Sequence, residues 1–383
     1  MSAPASSDTC IELTRRSKRV KISIIASCGR GRVAARLAFA VSILVGAGNL
    51  SAGEETVDTS PWSFRLVVLD PPRHTNAAAC IAASADGRVI AGFRSDESSE
   101  TSRAVRWTAQ TGFQYLRIPG SKVTRAYNLS ADGSTISGAT RSEGRGAQGF
   151  RWTKKGGVRK FGVGWRQVET SGISDNGTVV VGTSWERDFD PKAFYWTEQE
   201  GVQSLADNSV FNALNLTDSA ALGVSGDGST IVGWASDFYR NHASVFYWTK
   251  TAGMQIIGYA GGKDNFPRWM GVSRDGSVVV GTTFDGPNRR DASHVFRWTA
   301  KEGMVKLGPE GSKSYALGMS SDGSAVFGMY SEEGRWEFFV WSKDRGWRGT
   351  GMDESFLRSY QFLVTDREIL LVSFRDQNSR QHK

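Results

Sequence analysis

The chain has 383 residues, of which 44 are glycine, 22% are charged and 39% are apolar. These are the proportions of a turn-rich globular protein, and they exclude wholesale disorder. Four histidines and three cysteines are too few for most metal-cluster and disulfide-scaffold proteins. The formal net charge of +8 would fit a nucleic-acid-binding protein if the positive charge were spread over the whole chain.

The positive charge is concentrated at the N terminus. Residues 1–52 contain eight Lys or Arg and only two acids, so the remaining 331 residues carry a net charge of +2. A body this close to neutral lacks the electrostatic footprint of a DNA- or RNA-binding protein. The sequence therefore predicts no nucleic-acid partner.

The basic stretch is followed by an apolar run at 37–47 and by small residues that end at Ala52. This order predicts a cleaved secretory signal peptide over residues 1–52, with an uncleaved membrane anchor as the alternative. The run is shorter than the ~20 apolar residues of a membrane-spanning helix, so we expect no span after cleavage. We expect an exported protein that is extracellular, on the cell surface or in the periplasm. Cys80 would be its one remaining thiol, and we expect that side chain to be buried.

Six copies of one phrase dominate the rest of the chain. They lie at 83–92, 129–138, 173–182, 224–233, 272–281 and 319–328, around a Ser-x-Asp-Gly core or a close variant. Each copy precedes a second phrase whose tryptophans are Trp107, Trp152, Trp196, Trp248, Trp298 and Trp341. Consecutive tryptophans are 43 to 52 residues apart, a period typical of β-propellers and other tandem arrays.

Each repeat contains four short strand patterns, which are clearest at 221–225, 229–233, 245–249 and 254–258. The Ser-x-Asp-Gly between the first two is turn chemistry, because Ser and Asp oxygens accept local N–H groups and Gly adopts the left-handed conformation. No part of the body has a sustained helical period. We therefore predict an all-β propeller of four-stranded antiparallel blades.

The two ends of the propeller decide its blade count. Residues 360–374 have the pattern of a repeat's first two strands with no Trp phrase after them, and 62–70 form an orphan strand. Pairing these segments would remove the open sheet edges. We predict seven blades, the seventh shared between the termini, with six as the alternative. The domain plan is a leader at 1–52, a linker at 53–61, a propeller at 62–375 and a polar tail at 376–383.

The repeat pattern resembles the HAF family of extracellular repeat proteins over residues 78–349. The resemblance rests on the six copies and on the lead-in to the Trp strand, as in Lys192-Ala193-Phe194 and His294-Val295-Phe296. It implies an exported bacterial protein built of tandem β units, in a family without a settled biochemical activity.

The residues that recur in every repeat are interpreted as structural. Aspartates repeated once per blade are kept apart by the ring, whereas a catalytic centre needs different residues at one place. We expect them to cap their own turns and the tryptophans to pack between blades. The aspartates so interpreted are Asp86, Asp132, Asp175, Asp227, Asp275 and Asp322. We predict no metal, no cofactor and no catalytic residue.

The candidate site lies on the face that carries the long, variable connections, such as 95–103 and 261–267. Loops of this kind on a rigid scaffold usually carry binding. Residues just before each first strand would ring the mouth of a central channel, and they differ from repeat to repeat. The predicted ligand-binding residues are Arg125, Glu169, Arg268, Trp269, Tyr315 and Tyr360.

These side chains favour an anionic or sugar ligand, because Arg offers a planar donor fork and aromatic rings a flat apolar surface. The first hypothesis is a non-enzymatic binding scaffold for a polysaccharide, a cell-envelope component or an extracellular protein. The alternative is a glycan hydrolase or lyase at the channel mouth, where Asp218 would have to join Glu169 as a second carboxylate. A purely structural surface protein is the third hypothesis.

Overall fold

The computed structural model describes residues 10–15, 18–25, 40–43, 63–69, 77–95, 101–142, 146–186, 190–206, 209–237, 242–262, 266–267, 269–286, 292–353, 361–365 and 368–374. These residues form β-strands almost throughout, with one short helix, α1 (Ser209–Ala213), between the third and fourth repeats. The all-β prediction is confirmed.

Six four-stranded units follow the six sequence repeats, and we call them repeats 1 to 6. Repeat 1 contains β5 (Ala77–Ala83), β6 (Val89–Ser95), β7 (Ser102–Thr108) and β8 (Gly112–Tyr115). Repeat 2 contains β9 (Val123–Leu129), β10 (Thr135–Ser142), β11 (Gly146–Thr153) and β12 (Gly157–Trp165). Repeat 3 contains β13 (Gln167–Ile173), β14 (Val180–Trp185), β15 (Pro191–Thr197) and β16 (Gly201–Ser204).

Repeats 4 to 6 have the same order of strands. Repeat 4 contains β17 (Leu216–Val224), β18 (Thr230–Asp237), β19 (Ala243–Thr249) and β20 (Gly253–Gly261). Repeat 5 contains β21 (Met270–Val272), β22 (Val278–Phe284), β23 (Ser293–Thr299) and β24 (Gly303–Leu307). Repeat 6 contains β25 (Lys313–Met319), β26 (Ala325–Glu332), β27 (Arg335–Ser342) and β28 (Gly346–Asp353). Consecutive strands pair antiparallel within each repeat, and one parallel bridge, Ser102 to Val123, joins repeats 1 and 2.

A further sheet, which we call the end sheet, joins strands from the two ends of the chain. Its order is β1 (Cys10–Arg15), β2 (Lys18–Ile25), β3 (Ala40–Ile43), β4 (Ser63–Leu69), β30 (Glu368–Phe374) and β29 (Gln361–Val364). Strands β1 to β3 fall within the predicted leader, whose cleavage stays a prediction. The predicted linker at 53–61 and tail at 376–383 lie outside the described residues.

The prediction that all strands pair antiparallel is wrong for the end sheet. Strand β4 runs parallel to β30, from Ser63 opposite Glu368 to Leu69 opposite Phe374. Strand β4 precedes β5 in the chain, as the fourth strand of one repeat precedes the first strand of the next, and β30 follows β29 as a second strand follows a first. In the described sheet β30 pairs directly with β4, with no third strand between them. Second and fourth strands of an antiparallel order run in the same direction, so the pair is parallel.

The turns within the repeats have the predicted chemistry. In five of the six described turns, the Ser hydroxyl donates to the Asp Oδ1 two residues later, at 2.5–2.6 Å. The same Oδ1 accepts a backbone N–H at 2.9–3.0 Å. The third repeat is an exception to the prediction, because Asn176 accepts the bond from Ser174 and Asp175 stands one position earlier. Asp175 is therefore not a turn cap.

The hydrophobic core lies between neighbouring sheets. Among the described residues, separate clusters join repeats 1 and 2, 2 and 3, 3 and 4, 4 and 5, and 5 and 6. Two further clusters join repeat 6 to the end sheet and the end sheet to repeat 1. The recurrent tryptophans take part, as predicted: Trp248 packs on Tyr195 of the preceding repeat at 5.3 Å and Trp298 on Tyr247 at 5.2 Å.

Candidate functional site

The first strands of repeats 1, 2, 3, 4 and 6, the segment ahead of β21 and strand β29 line a cavity of about 1420 Å³, which we call the axial cavity. Its wider mouth lies on the face of the long connections, and we call this the wide mouth. The connections at 96–100, 187–189, 238–241, 263–265 and 287–291 lie outside the described residues.

A β-bulge in the first strand of five repeats shapes the lining of the cavity. In each case one residue is skipped by the register, and its side chain lines the cavity. A bulge leaves one residue unpaired and re-aims its side chain. The bulged residues are Ile81, Tyr127, Ser171, Leu222 and Leu317.

The small residues next to the bulges lie where the first strands of neighbouring sheets come together, and one of them, Gly318, lines the axial cavity. A Cβ on Gly318 would meet the Val364 side chain of the end sheet, and one on Gly223 would stand 2.8 Å from the Met270 carbonyl oxygen of repeat 5. These positions are small because the first strands of neighbouring sheets approach closely there.

The glycine that ends each repeated phrase has a separate role. A Cβ on Gly138 would stand closer than 3.0 Å to the Arg125 carbonyl oxygen and 2.8 Å from the Phe150 ring. The corresponding Gly182 has the same relation to the carbonyl of Glu169. These glycines therefore leave room for the backbone that carries the residues of the wide mouth.

Arg125 is the most strongly positioned of the predicted site residues. Its guanidinium lies over the Phe93 ring, 4.9 Å from the ring centroid, and its Nε is buried without a hydrogen-bond partner. The pKa of Tyr127 is raised, first by burial and also by the charge of Glu169, while Arg125 acts in the opposite direction. Arg125, Tyr127 and Glu169 thus form one electrostatic group at the cavity wall.

The remaining predicted site residues have different outcomes. Glu169 and Trp269 line the axial cavity with Arg125. Tyr315 is not among the described lining residues, and its ring packs against Trp336 at 5.5 Å, so its part in the site stays a prediction. Trp336 lies on β27, two strands away from Tyr315 on β25 in the same sheet, so the residues around Tyr315 do not reveal this contact. Arg268 and Tyr360 lie outside the described residues.

Several lining residues were missed from the sequence. Trp234 and Phe266 lie on the wall of the cavity with ring centroids 4.4 Å apart. Arg141 and Arg166 add positive charge to the same wall as Arg125. Trp234 follows the recurrent glycine of repeat 4 directly and pairs with Ala220 at the wide mouth. Aligning the repeats on that glycine would have identified this position.

The opposite face of the cavity, the narrow face, has a smaller opening of about 200 Å³, whose rim is formed by the turns of the repeats. Backbone N–H groups of Ala85, Ala131 and Asp175 each donate to the carbonyl of the next turn around the axis, at 2.9–3.2 Å. The Arg274 guanidinium forms an ion pair with Asp175 across Gly226 of the intervening repeat. A side chain on Gly226 would collide with both partners. The wide mouth therefore leads into the larger of the two spaces.

The described residues hold no group of three or more His, Cys, Asp or Glu placed to bind a metal ion. Cys80 is buried, as predicted, and burial raises the pKa of its thiol to about 12. Within the described part of the chain, no helix has the length and apolar character needed to span a membrane.

Comparison with known proteins places the fold. No family model and no curated protein matches the chain. The chain is similar to the β-propeller domain of the Trilobed protease from Pyrococcus furiosus, with 12% identity, 90% of this chain and 99% of that chain covered, and a TM-score of 0.52. A structure of prolyl endopeptidases matches with 13% identity over 72% of this chain and 43% of that chain, at a TM-score of 0.50.

TolB from Acinetobacter baumannii is similar at 12% identity over 76% of this chain and 68% of that chain, with a TM-score of 0.44. At these identities the likeness concerns the fold alone. The first of these structures, together with the six four-stranded repeats, identifies the fold as a β-propeller type.

Proposed function

We propose that the protein is an exported, non-enzymatic binding scaffold that holds its ligand at the wide mouth of the axial cavity. The observation that carries this proposal is the position of Arg125, whose guanidinium is held over the Phe93 ring at the wall of a 1420 Å³ cavity. A guanidinium held in this way presents a planar fork of N–H donors to an anionic ligand. The resemblance to the HAF family, carried by the six repeats, is part of the same proposal.

The scaffold in this proposal is a ring of seven blades in which the end sheet is the seventh. Three observations support it. Strand β4 pairs with β30, the Cys80 N–H donates to Gln361 Oε1 at 2.8 Å, and Leu363, Leu370 and Val372 pack with Cys80 and Ile90. Each of these contacts joins the two ends of the chain. Pairing of this kind leaves fewer open strand edges for aggregation.

The ligand class follows from the wall of the cavity. Arg125, Arg141 and Arg166 outnumber Glu169, the one carboxylate among the described lining residues. Aromatic faces at Trp269 and Trp234 lie on the same cavity. Guanidinium groups favour carboxylate, sulfate or phosphate, and indole rings favour flat or apolar groups. An acidic polysaccharide or another anionic envelope component fits this wall, and an extracellular protein with an acidic segment is the remaining partner class.

A glycan hydrolase or lyase is the alternative that the test must distinguish from a binding scaffold. Hydrolysis by paired carboxylates needs two of them about 5–10 Å apart. Asp218, which the alternative would require beside Glu169, is 5% exposed and is not among the described residues that line the cavity. No described observation favours the alternative over binding.

Affinity electrophoresis tests the proposal. The full chain is run through gels that contain acidic and neutral polysaccharides, and each polysaccharide is assayed for new reducing ends. We expect retardation by acidic polysaccharides without cleavage, and its loss in Arg125→Ala. Arg348→Ala is the matched control, because Arg348 is exposed on the outer strand β28, away from the cavity. Cleavage would favour the enzyme, and equal retardation of both variants would contradict the site.

A further inference from the structure

The lining of the axial cavity is divided into a polar half and an apolar half. Every charged side chain, hydroxyl and carboxamide among its described lining residues belongs to repeats 2 and 3. The described lining residues of the other repeats, their connections and the end sheet are apolar, and they include Ile81, Leu222, Trp269, Leu317 and Leu363. A ring of similar repeats has no intrinsic reason to segregate its lining in this way.

The apolar half contains side chains that the fold itself does not cover. Ile81 is 40% exposed and Leu317 is 37% exposed, although both project into a cavity and not onto the outer surface. Each is the bulged residue of its strand, so the backbone directs it inward. Covering such surface with an apolar group is favourable in proportion to the area removed from water.

The polar half is positively charged. Arg125, Arg141 and Arg166 face the cavity together with one carboxylate, Glu169. Arg125 is held over the Phe93 ring, which orients the guanidinium at the cavity wall. An anionic group on this wall would meet planar donors that are already positioned.

We propose that the axial cavity binds a single-chain amphiphile, with its anionic headgroup against the arginines of repeats 2 and 3 and its hydrocarbon chain against Ile81, Leu317 and Leu363. This inference rests on the proposed function and names the ligand class of the same site. The cavity, at about 1420 Å³, exceeds the ~300–1,000 Å³ of common small-molecule pockets, so a headgroup and an extended chain fit together.

The shape of the cavity agrees with this orientation. The Arg274–Asp175 pair and the backbone hydrogen bonds of the turns bridge the narrow face. A hydrocarbon chain that enters by the wide mouth therefore runs toward the smaller opening of the opposite face, where Met319 and Val364 continue the apolar wall. The headgroup stays level with Arg125.

Calorimetric titration of the full chain with hexanoate, octanoate and decanoate, all below their micellar concentrations, tests the hydrocarbon site. Each added methylene should lower the dissociation constant about fourfold, since burying a CH₂ contributes ~0.8 kcal/mol. Octanoate should bind at least tenfold more tightly than 1-octanol, which has the same number of carbons and no charge.

Variants in the apolar half and in the polar half of the cavity test which half binds the hydrocarbon chain and which binds the headgroup. Ile81→Asn with Leu317→Asn should flatten the dependence on chain length, whereas Val163→Asn with Val305→Asn should leave it unchanged. Val163 and Val305 are 86% and 45% exposed on other strands and serve as the matched control. Arg125→Ala should remove most of the difference between octanoate and 1-octanol. Leu317→Trp, which fills the cavity and adds no charge and only one indole N–H, should weaken decanoate more than hexanoate.

The outcomes separate this inference from the function on which it rests. If acidic polysaccharides retard the protein but alkanoates do not bind, the amphiphile inference is wrong and the proposed binding site is still supported. If neither ligand binds, both the inference and the proposed function are wrong. If alkanoates bind but neither the Ile81 and Leu317 double variant nor Leu317→Trp alters this binding, the hydrocarbon chain lies elsewhere and the inference is wrong.

Discussion

Replacing Gly138 by alanine tests how the repeated glycine supports the site. The new Cβ would stand closer than 3.0 Å to the Arg125 carbonyl oxygen, a separation that real Cβ atoms essentially never show, and 2.8 Å from the Phe150 ring. Phe150 is fully buried, so neither obstacle can move without disturbing the core. Overpacking of this kind costs roughly 1–3 kcal/mol, and we expect about 3 kcal/mol because one obstacle is backbone. The displaced backbone carries Arg125, so ligand binding should weaken as well.

The control for this variant lies in the same repeat. A Cβ on Gly157 meets nothing within 4 Å, and the residue has a φ of +67°, so Gly157→Ala should cost about 1 kcal/mol from backbone strain alone. Urea unfolding followed by tryptophan fluorescence gives both free energies. The reasoning is refuted if Gly138→Ala destabilises the protein no more than Gly157→Ala, or if it leaves Arg125-dependent binding intact.

Three further predictions concern the turns, the narrow face and the buried thiol. The Ser273 hydroxyl and backbone N–H groups hold the pKa of Asp275 below its usual value, so the carboxylate's contribution to the free energy of unfolding is lost as the pH falls below about 4. Asp275→Asn should therefore reduce the loss of stability at acid pH, as measured by unfolding followed by circular dichroism. Arg274→Ala should cost less than about 1 kcal/mol in urea unfolding, because the Arg274 and Asp175 side chains are 54% and 37% exposed; a loss above ~2 kcal/mol would contradict this. Cys80 should resist alkylation at pH 8 until the protein unfolds, as measured by mass spectrometry of its peptide, since burial raises its thiol pKa to about 12; rapid labelling of the native chain would contradict the buried position.

The strands and turns could be predicted because their signals are local. The Ser-x-Asp-Gly phrase places a hydrogen-bonded turn between two apolar stretches, and in repeat 4 it separates β17 from β18 as expected. The spacing of the tryptophans gave the repeat length, and Trp248 packs between repeats as predicted. Each of these features depends on residues within one repeat and its neighbour.

The features that could not be predicted depend on register or on distant residues. The bulges that turn Tyr127 and Leu317 into the cavity shift pairing by one residue, which composition does not reveal. The interpretation of Asp175 as a turn cap failed because repeat 3 uses the adjacent Asn176, while Arg274 from two repeats away pairs with the aspartate. The parallel pairing of β4 follows from the connection of the chain and not from the strand's own residues.

A crystal structure of the full chain, grown with an oligosaccharide prepared from the polysaccharide that retards it most, tests the central claim most directly. The account predicts ligand density at the wide mouth, in contact with the Arg125 guanidinium and the Trp269 ring. Density confined to an outer strand such as β28, or to the narrow face beside Arg274, would contradict it.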